Sequence, residues 1–252
     1  MSLCRTAARI TSEFRPTHSP GLTTGKIVDY TIFLELSGCA RRIVSSLISM
    51  TSESINHVSY EGLRTRPIAL SIETKTESRT VEEAKVQLGV WVAAQVARIE
   101  ALIQRVAVLK ANKHRAEINI RPETSRRGQK GTEDGSSSQL QKQQQTPSST
   151  THSTSPDSTD LLSQIVFPLL DVQSESWSLF FGRVASPSTP NSEIRKPASS
   201  IQIFHSVALG NTANTIQTYR LVKSLKVLRE WIDVDFRKWW DTVLGLGEED
   251  VV

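Results

Sequence analysis

Two strands stand out in the first third of the chain by strict alternation of apolar and polar positions. Within residues 66–75, Ile68, Leu70 and Ile72 project one way while Ala69, Ser71, Glu73 and Lys75 project the other, because successive side chains of a strand point to opposite faces. Glu73 and Lys75 therefore share a face, about 7 Å apart along the backbone. Residues 26–36 repeat the pattern. Val28, Tyr30, Ile32, Leu34 and Leu36 make an apolar face, and Asp29, Thr31, Phe33 and Glu35 make the other. If the two strands are neighbours in one sheet, Asp29 and Glu73 can share a face.

A helical period follows Lys75. Thr80 and Glu83 form a capping box, and apolar residues recur at Ala84, Leu88, Trp91, Ile99, Leu102, Val106 and Leu109, interrupted at Gln95. This predicts a helix to about residue 111. Gln87 lies roughly 60° round that helix from Ala84, either on a solvated flank or at the margin of a sheet beneath the stripe. Residues 40–50 fit a short helix or a strand. Residues 164–170 and 177–181 read as strands joined by a turn over 171–176, residues 182–200 as a loop, and residues 201–204 as a short strand. Asn211 or Asn214 caps a terminal helix running to about residue 244, with an apolar stripe at Ile216, Tyr219, Val222, Leu225, Trp231, Ile232 and Trp239. Trp231, Trp239 and Trp240 can stack on bases, but their helical spacing favours a place in the core. This order of elements predicts an α/β fold, a central mixed sheet flanked by helices.

Composition divides the chain. Of 252 residues only 38% are hydrophobic, which is low for a chain packed throughout. The deficit is concentrated in residues 121–160, a Ser-, Thr-, Gln-, Gly- and Pro-rich tract expected to be a disordered linker or insertion. Residues 1–25 are expected to be poorly ordered. Residues 26–120 and 161–245 are expected to form the two parts of one domain, and 246–252 an acidic tail. The net charge of +4 is uneven: residues 1–120 carry sixteen Lys and Arg against eleven Asp and Glu, which suits an anionic partner or a mildly basic solvated surface. Cys4 and Cys39 make neither a metal spacing nor a disulfide framework. No apolar run approaches the ~20 residues of a bilayer span, and the N-terminus has no secretory pattern. The expectation is an intracellular protein, of nucleus or cytoplasm, without a membrane.

Asp29, Glu73 and Lys75 are the residue types that metal-assisted phosphodiester hydrolysis uses. Two carboxylates can hold Mg²⁺ with water completing its shell, and a nearby ammonium can neutralise transition-state charge. Glu73 and Lys75 can equally be an ion pair at a sheet margin. A Glu-x-Lys pattern is expected by chance about once in a chain of this size. A second copy, Glu83 with Lys85, falls in the first turns of the helix, where residues two apart do not face each other. The run from Gly21 to Lys26 has two glycines and a lysine, but its spacing is too short for a phosphate-binding loop and a strand follows it. The five histidines show no ligand spacing, and His57 reads as a polar turn residue.

The block from Ser54 to Lys75, SINHVSYEGLRTRPIALSIETK, resembles the core of the PD-(D/E)XK nuclease superfamily, and more narrowly a fungal branch of nuclease-like proteins. KIVDY, ending at Tyr30, resembles the upstream acidic strand of that branch. VQLGVW, ending at Trp91, resembles the following helix, whose glutamine supports the site. Residues 173–177 and 219–231 resemble a later strand and the terminal helix. The likeness covers most of residues 26–110 and 161–244. It implies a restriction-endonuclease-like core, dependence on Mg²⁺ (or Mn²⁺), and cleavage of DNA or RNA. Asp29 and Glu73 would be metal ligands, Lys75 the catalytic lysine and Gln87 a helper. Val28 stands where proline commonly precedes the acid, the gap from Asp29 to Glu73 is long, and the chain starts too late for the full helix that precedes the acidic strand in this branch. The alternatives are a degenerate module that binds nucleic acid or a protein without cleavage, and a scaffold with Glu73 and Lys75 as a surface pair.

Overall fold

A computed structural model describes residues 2–5, 9–16, 28–49, 54–76, 81–120, 158–185 and 200–247. The chain divides into two compact units, Met1–Ala107 with Pro156–Val252, and Val108–Ser155. The first holds a six-stranded sheet whose strands follow chain order: β1 (Ser2–Arg5), β2 (Tyr30–Phe33), β3 (Ile68–Lys75), β4 (Phe167–Gln173), β5 (Ser176–Val184) and β6 (Ile201–Asn211). Neighbours are antiparallel except β3 and β4, which are parallel. A parallel pair needs a long crossover, and the chain between β3 and β4 carries the helix α2 (Val81–Ile120) and the short α3 (Ser158–Ser163). The mixed sheet flanked by helices is the predicted architecture.

β3 lies in the middle of the sheet, and Ile68 through Glu73 are buried without alternation because both faces of the strand are covered. A register slip between Ile32 and Phe33 pairs Phe33 with Ile68, and both join a cluster with Val28, Trp91 and Ala94. Ile68 thus packs with α2 residues that the simple alternation did not assign to it. Gln95, the gap in the predicted stripe, is buried and donates to the Ile68 carbonyl at 2.8 Å. Its polarity serves the start of β3. At Gly182 of β5 a side chain would meet Val92 of α2 at 3.2 Å, so the glycine lets helix and sheet approach.

Several boundaries differ from the sequence reading. Of the described residues 28–36 only the four of β2 are strand, and Leu34 donates to the Pro67 carbonyl just before β3. Residues 40–50 resolve as the helix α1 (Gly38–Ser49), burying Ala40, Val44, Leu47 and Ile48 at helical spacing. α2 continues past residue 111. By length and composition its stretch Glu82–Lys113 matches a membrane span, against the expectation of none, yet 61% of its apolar window is buried inside the protein. That is the burial of a core helix. The N-terminal residues expected to be poorly ordered include β1, and Ile10 and Phe14 enter the core. Backbone pairing at a sheet edge needs no long periodic pattern, so the sequence carried no signal for it. Thr80, residues 17–27, and residues 121–157 of the polar tract lie outside the described residues. The tract's expected end at residue 160 gives way to α3 from Ser158.

The terminal helix also differs. α4 (Thr215–Trp231) is capped by Asn214, whose side chain accepts from the Gln217 amide at 3.0 Å. A π-helical turn at Ile232–Phe236 then leads into α5 (Arg237–Leu244). At about 100° per residue Leu221 and Ile232 share one face and both are buried, whereas Ile216 and Tyr219 of the predicted stripe lie on the opposite side and, with Val222, face outward. Beyond the wider turn, Phe236, Trp239 and Trp240 are buried. Trp239 and Trp240 are core residues, with the Trp239 indole donating to the Leu161 carbonyl at 2.8 Å.

Candidate functional site

The last residues of β3 hold the candidate chemistry. Glu73 is buried, with 2% of its surface exposed, and Lys75 forms an ion pair with Glu73 Oε1. Gln87, in the second turn of α2, donates from Nε2 to Glu73 Oε2 at 2.6 Å and accepts from Lys75 Nζ at 3.4 Å. The three side chains close a triangle between β3 and α2. Gln87 is buried, so it lies at the sheet margin and not on a solvated flank. Period two puts Glu73 and Lys75 on one face of β3, and the packing of α2 against the sheet brings Gln87 to them.

Asp29 immediately precedes β2. The antiparallel pair Tyr30–Ile72 puts it across from Glu73 at the same end of the sheet. Its Oδ2 accepts from the Thr74 amide at 2.8 Å and the Thr74 hydroxyl at 2.6 Å. With β2 starting only at Tyr30, this carboxylate takes the backbone donor that a longer strand would have paired.

A further acid was missed in the sequence. Asp171, assigned there to a turn over 171–176, lies inside β4 in parallel register with Glu73. The turn is shorter, at Ser174 and Glu175, with Ser174 in the left-handed region at φ 53°. Paired residues of parallel neighbours point to the same face, about 4.8 Å apart. Asp171 is 3% exposed, and its Oδ1 has no hydrogen-bond partner among the described residues. The available signal was the alternation of Leu169, Asp171 and Gln173, which extends the strand beyond residue 170.

Glu73 is thus ion-paired with Lys75 and feels the charges of Asp29 and Asp171 on either side. Burial pushes the Glu73 carboxyl above its ordinary value; the Lys75 hydrogen bond and charge oppose this, and the charges of Asp29 and Asp171 add to it. Burial likewise raises Asp171, opposed by the Lys75 charge. Among the described residues no set of three or more Asp, Glu, His or Cys side chains converges closely enough to hold a metal ion. The donor set is nonetheless of the hard-oxygen type that Mg²⁺ and Mn²⁺ take, and Asp171 contributes a buried oxygen without a protein donor.

Other polar groups lie elsewhere. His57 is wholly buried, not a polar turn side chain as the sequence suggested. Its ring stands edge-on to Trp91 at 4.5 Å, and burial lowers its pKa to about 3. A cavity of about 290 Å³ lined by Glu13, Asn56, Arg64 and Arg98 adjoins the loop before β3, away from Glu73.

Fold and site together define an α/β protein with a restriction-endonuclease-like core and an acidic centre at the end of its middle strand. The family model of the PD-(D/E)XK nuclease superfamily matches residues 1–237. The chain belongs to that superfamily. No curated protein matches it, and no solved structure does.

Proposed function

We propose that this chain is a metal-dependent nuclease that hydrolyses phosphodiester bonds of DNA or RNA at the end of β3, using Mg²⁺ or Mn²⁺. The observation that carries the reading is the buried Glu73 held between Lys75 and Gln87, with Asp29 across from it, in a member of a nuclease superfamily. A bound divalent cation supplies Lewis-acid stabilisation of the charge that develops on the phosphate. Asp29 and Glu73 are its ligands. Thr74 fixes one oxygen of Asp29 and so sets the direction of the other, the usual way a ligating carboxylate is oriented. Lys75, beside Glu73, supplies the positive charge that would offset negative charge developing on the phosphate. Gln87 is a positioning residue: it holds Glu73 by one end of its amide and Lys75 by the other. The basic surplus of residues 1–120 favours a polyanionic substrate.

The test is incubation of the purified chain with single- and double-stranded DNA and RNA in Mg²⁺ or Mn²⁺. Cleavage is expected, and Glu73→Ala or Lys75→Ala should lower it about 100- to 1,000-fold. Undiminished cleavage by both variants would refute the assignment. A second reading, binding without cleavage, is favoured by one feature: both Glu73 oxygens are already engaged by protein groups. It predicts retained nucleic-acid binding, no cleavage of any substrate and no thermal shift with Mg²⁺.

A further inference from the structure

We infer that Asp171 is a ligand of the cation site alongside Glu73, placing part of that site on β4. This rests on the proposal that the end of β3 takes a divalent cation, and it adds a ligand from a strand almost one hundred residues further along the chain. Three observations carry it. Asp171 pairs with Glu73 in parallel register, so the two carboxylates leave adjacent strands on the same face. Asp171 is buried in a strand whose residues Phe167 to Val172 are all buried, where an apolar residue would satisfy packing alone. Its Oδ1 meets no donor among the described residues, whereas Asp29 Oδ2 and both Glu73 oxygens have protein partners. A buried carboxylate oxygen without a donor is costly unless a cation or proton satisfies it. Lys75 Nζ bonds Glu73 and Gln87 and makes no hydrogen bond to Asp171 Oδ1.

Asp29, held by Thr74, lies on the β2 side of Glu73 and Asp171 on the β4 side. The pair proposed here, Glu73 with Asp171, is entirely oxygen-donating and suits a hard cation over zinc-like ones.

The inference is tested by titrating Mn²⁺ into the full chain without nucleic acid and following the paramagnetic resonance signal of the free ion. Wild type is compared with Asp171→Asn and Glu73→Gln, and the melting temperature of each is measured without metal. Asp171→Asn should weaken Mn²⁺ binding about ten-fold or more, with a metal-free melting temperature at or above that of wild type. Binding by Asp171→Asn within two-fold of wild type, while Glu73→Gln loses it, overturns the role of Asp171 and leaves the nuclease reading standing. Absence of binding by wild type overturns the cation site itself, and this inference with it. If Asp171→Asn does not fold, Asp171→Ser carries the same comparison.

Discussion

Gln87 Nε2 lies 2.6 Å from Glu73 Oε2, joining the first turns of α2 to the last turn-facing residues of β3. The acceptor is a carboxylate removed from water, so this bond is stronger than a neutral one and its loss leaves a buried charge short of a donor. Gln87→Ala is expected to destabilise the protein by about 1–3 kcal/mol at pH 7. Gln87→Glu should cost more, because it sets a second carboxylate against Glu73. Urea denaturation of the three proteins checks the order.

The acidic centre also makes stability depend on pH with a definite sign. Burial raises the Glu73 and Asp171 carboxyls in the folded state, so over the window between their unfolded and folded values the native protein binds more protons than the unfolded chain. Stability from these groups is full below the ordinary carboxylate range and is lost as pH rises through the folded values. Asp171→Asn removes one such group. Its stability relative to wild type should therefore grow as pH climbs from below the ordinary aspartate value of 3.8. Denaturation curves at a series of pH values read this directly; a difference that does not change with pH would contradict it.

His57 gives the opposite slope. Its folded pKa of about 3 lies below the ordinary 6.5, so the unfolded chain binds the extra proton. Its contribution is fully present above pH 6.5 and is lost as pH falls towards 3. At pH 5 the loss is about 2 kcal/mol. His57→Phe keeps a ring against Trp91 and should remove this acid sensitivity, visible as a smaller drop in melting temperature between pH 7 and pH 5.

Asn56 organises the loop that delivers the chain to β3. Its amide nitrogen donates to the Leu63 and Arg66 carbonyls at 2.5 and 2.8 Å, and its oxygen accepts from the Ile68 amide at 3.0 Å. Asn56→Ala leaves three backbone groups without that partner and is expected to cost about 2–4 kcal/mol. Asn56→Asp sets a buried carboxylate oxygen against the Leu63 and Arg66 carbonyls and should cost at least as much as Asn56→Ala in urea denaturation.

Gly210 of β6 has φ 141°, a conformation that L side chains rarely adopt, and a Cβ there would meet the Gln217 carbonyl oxygen of α4 at 2.6 Å. Gly210→Ala should destabilise by about 2–4 kcal/mol through strain and overpacking. Gly182→Ala is expected to cost less, since its nearest contact is the Val92 side chain at 3.2 Å. Melting temperatures of the pair test the ranking.

Local pattern accounts for much of what was legible. Alternation located β3 and placed Glu73 beside Lys75, because the two-residue period is a property of the extended backbone itself. The 3.6-residue period located α2, and the Asn214 cap marked the start of α4 through a bond spanning three residues. Where the pattern misled, a longer-range contact had intervened. The polar Gln95 looked like a fault in the stripe until the Ile68 carbonyl supplied its partner. Ile216 and Tyr219 looked like core, but the face that packs is the one carrying Leu221 and Ile232, on the other side of the helix.

From sequence alone, then, came the existence of β3 and α2, the residue types at Glu73, Lys75 and Gln87, and the acid at Asp29. Steric preference and periodicity between near neighbours are enough to decide those. Tertiary structure decided that β4 lies parallel beside β3, which brings Asp171 into register with Glu73 across nearly one hundred residues. It also decided that Asp29 is held by Thr74 and that Gln87 is buried against Glu73. Strand partnership depends on which faces can be buried together once the chain closes on itself, and no window along one strand contains that information.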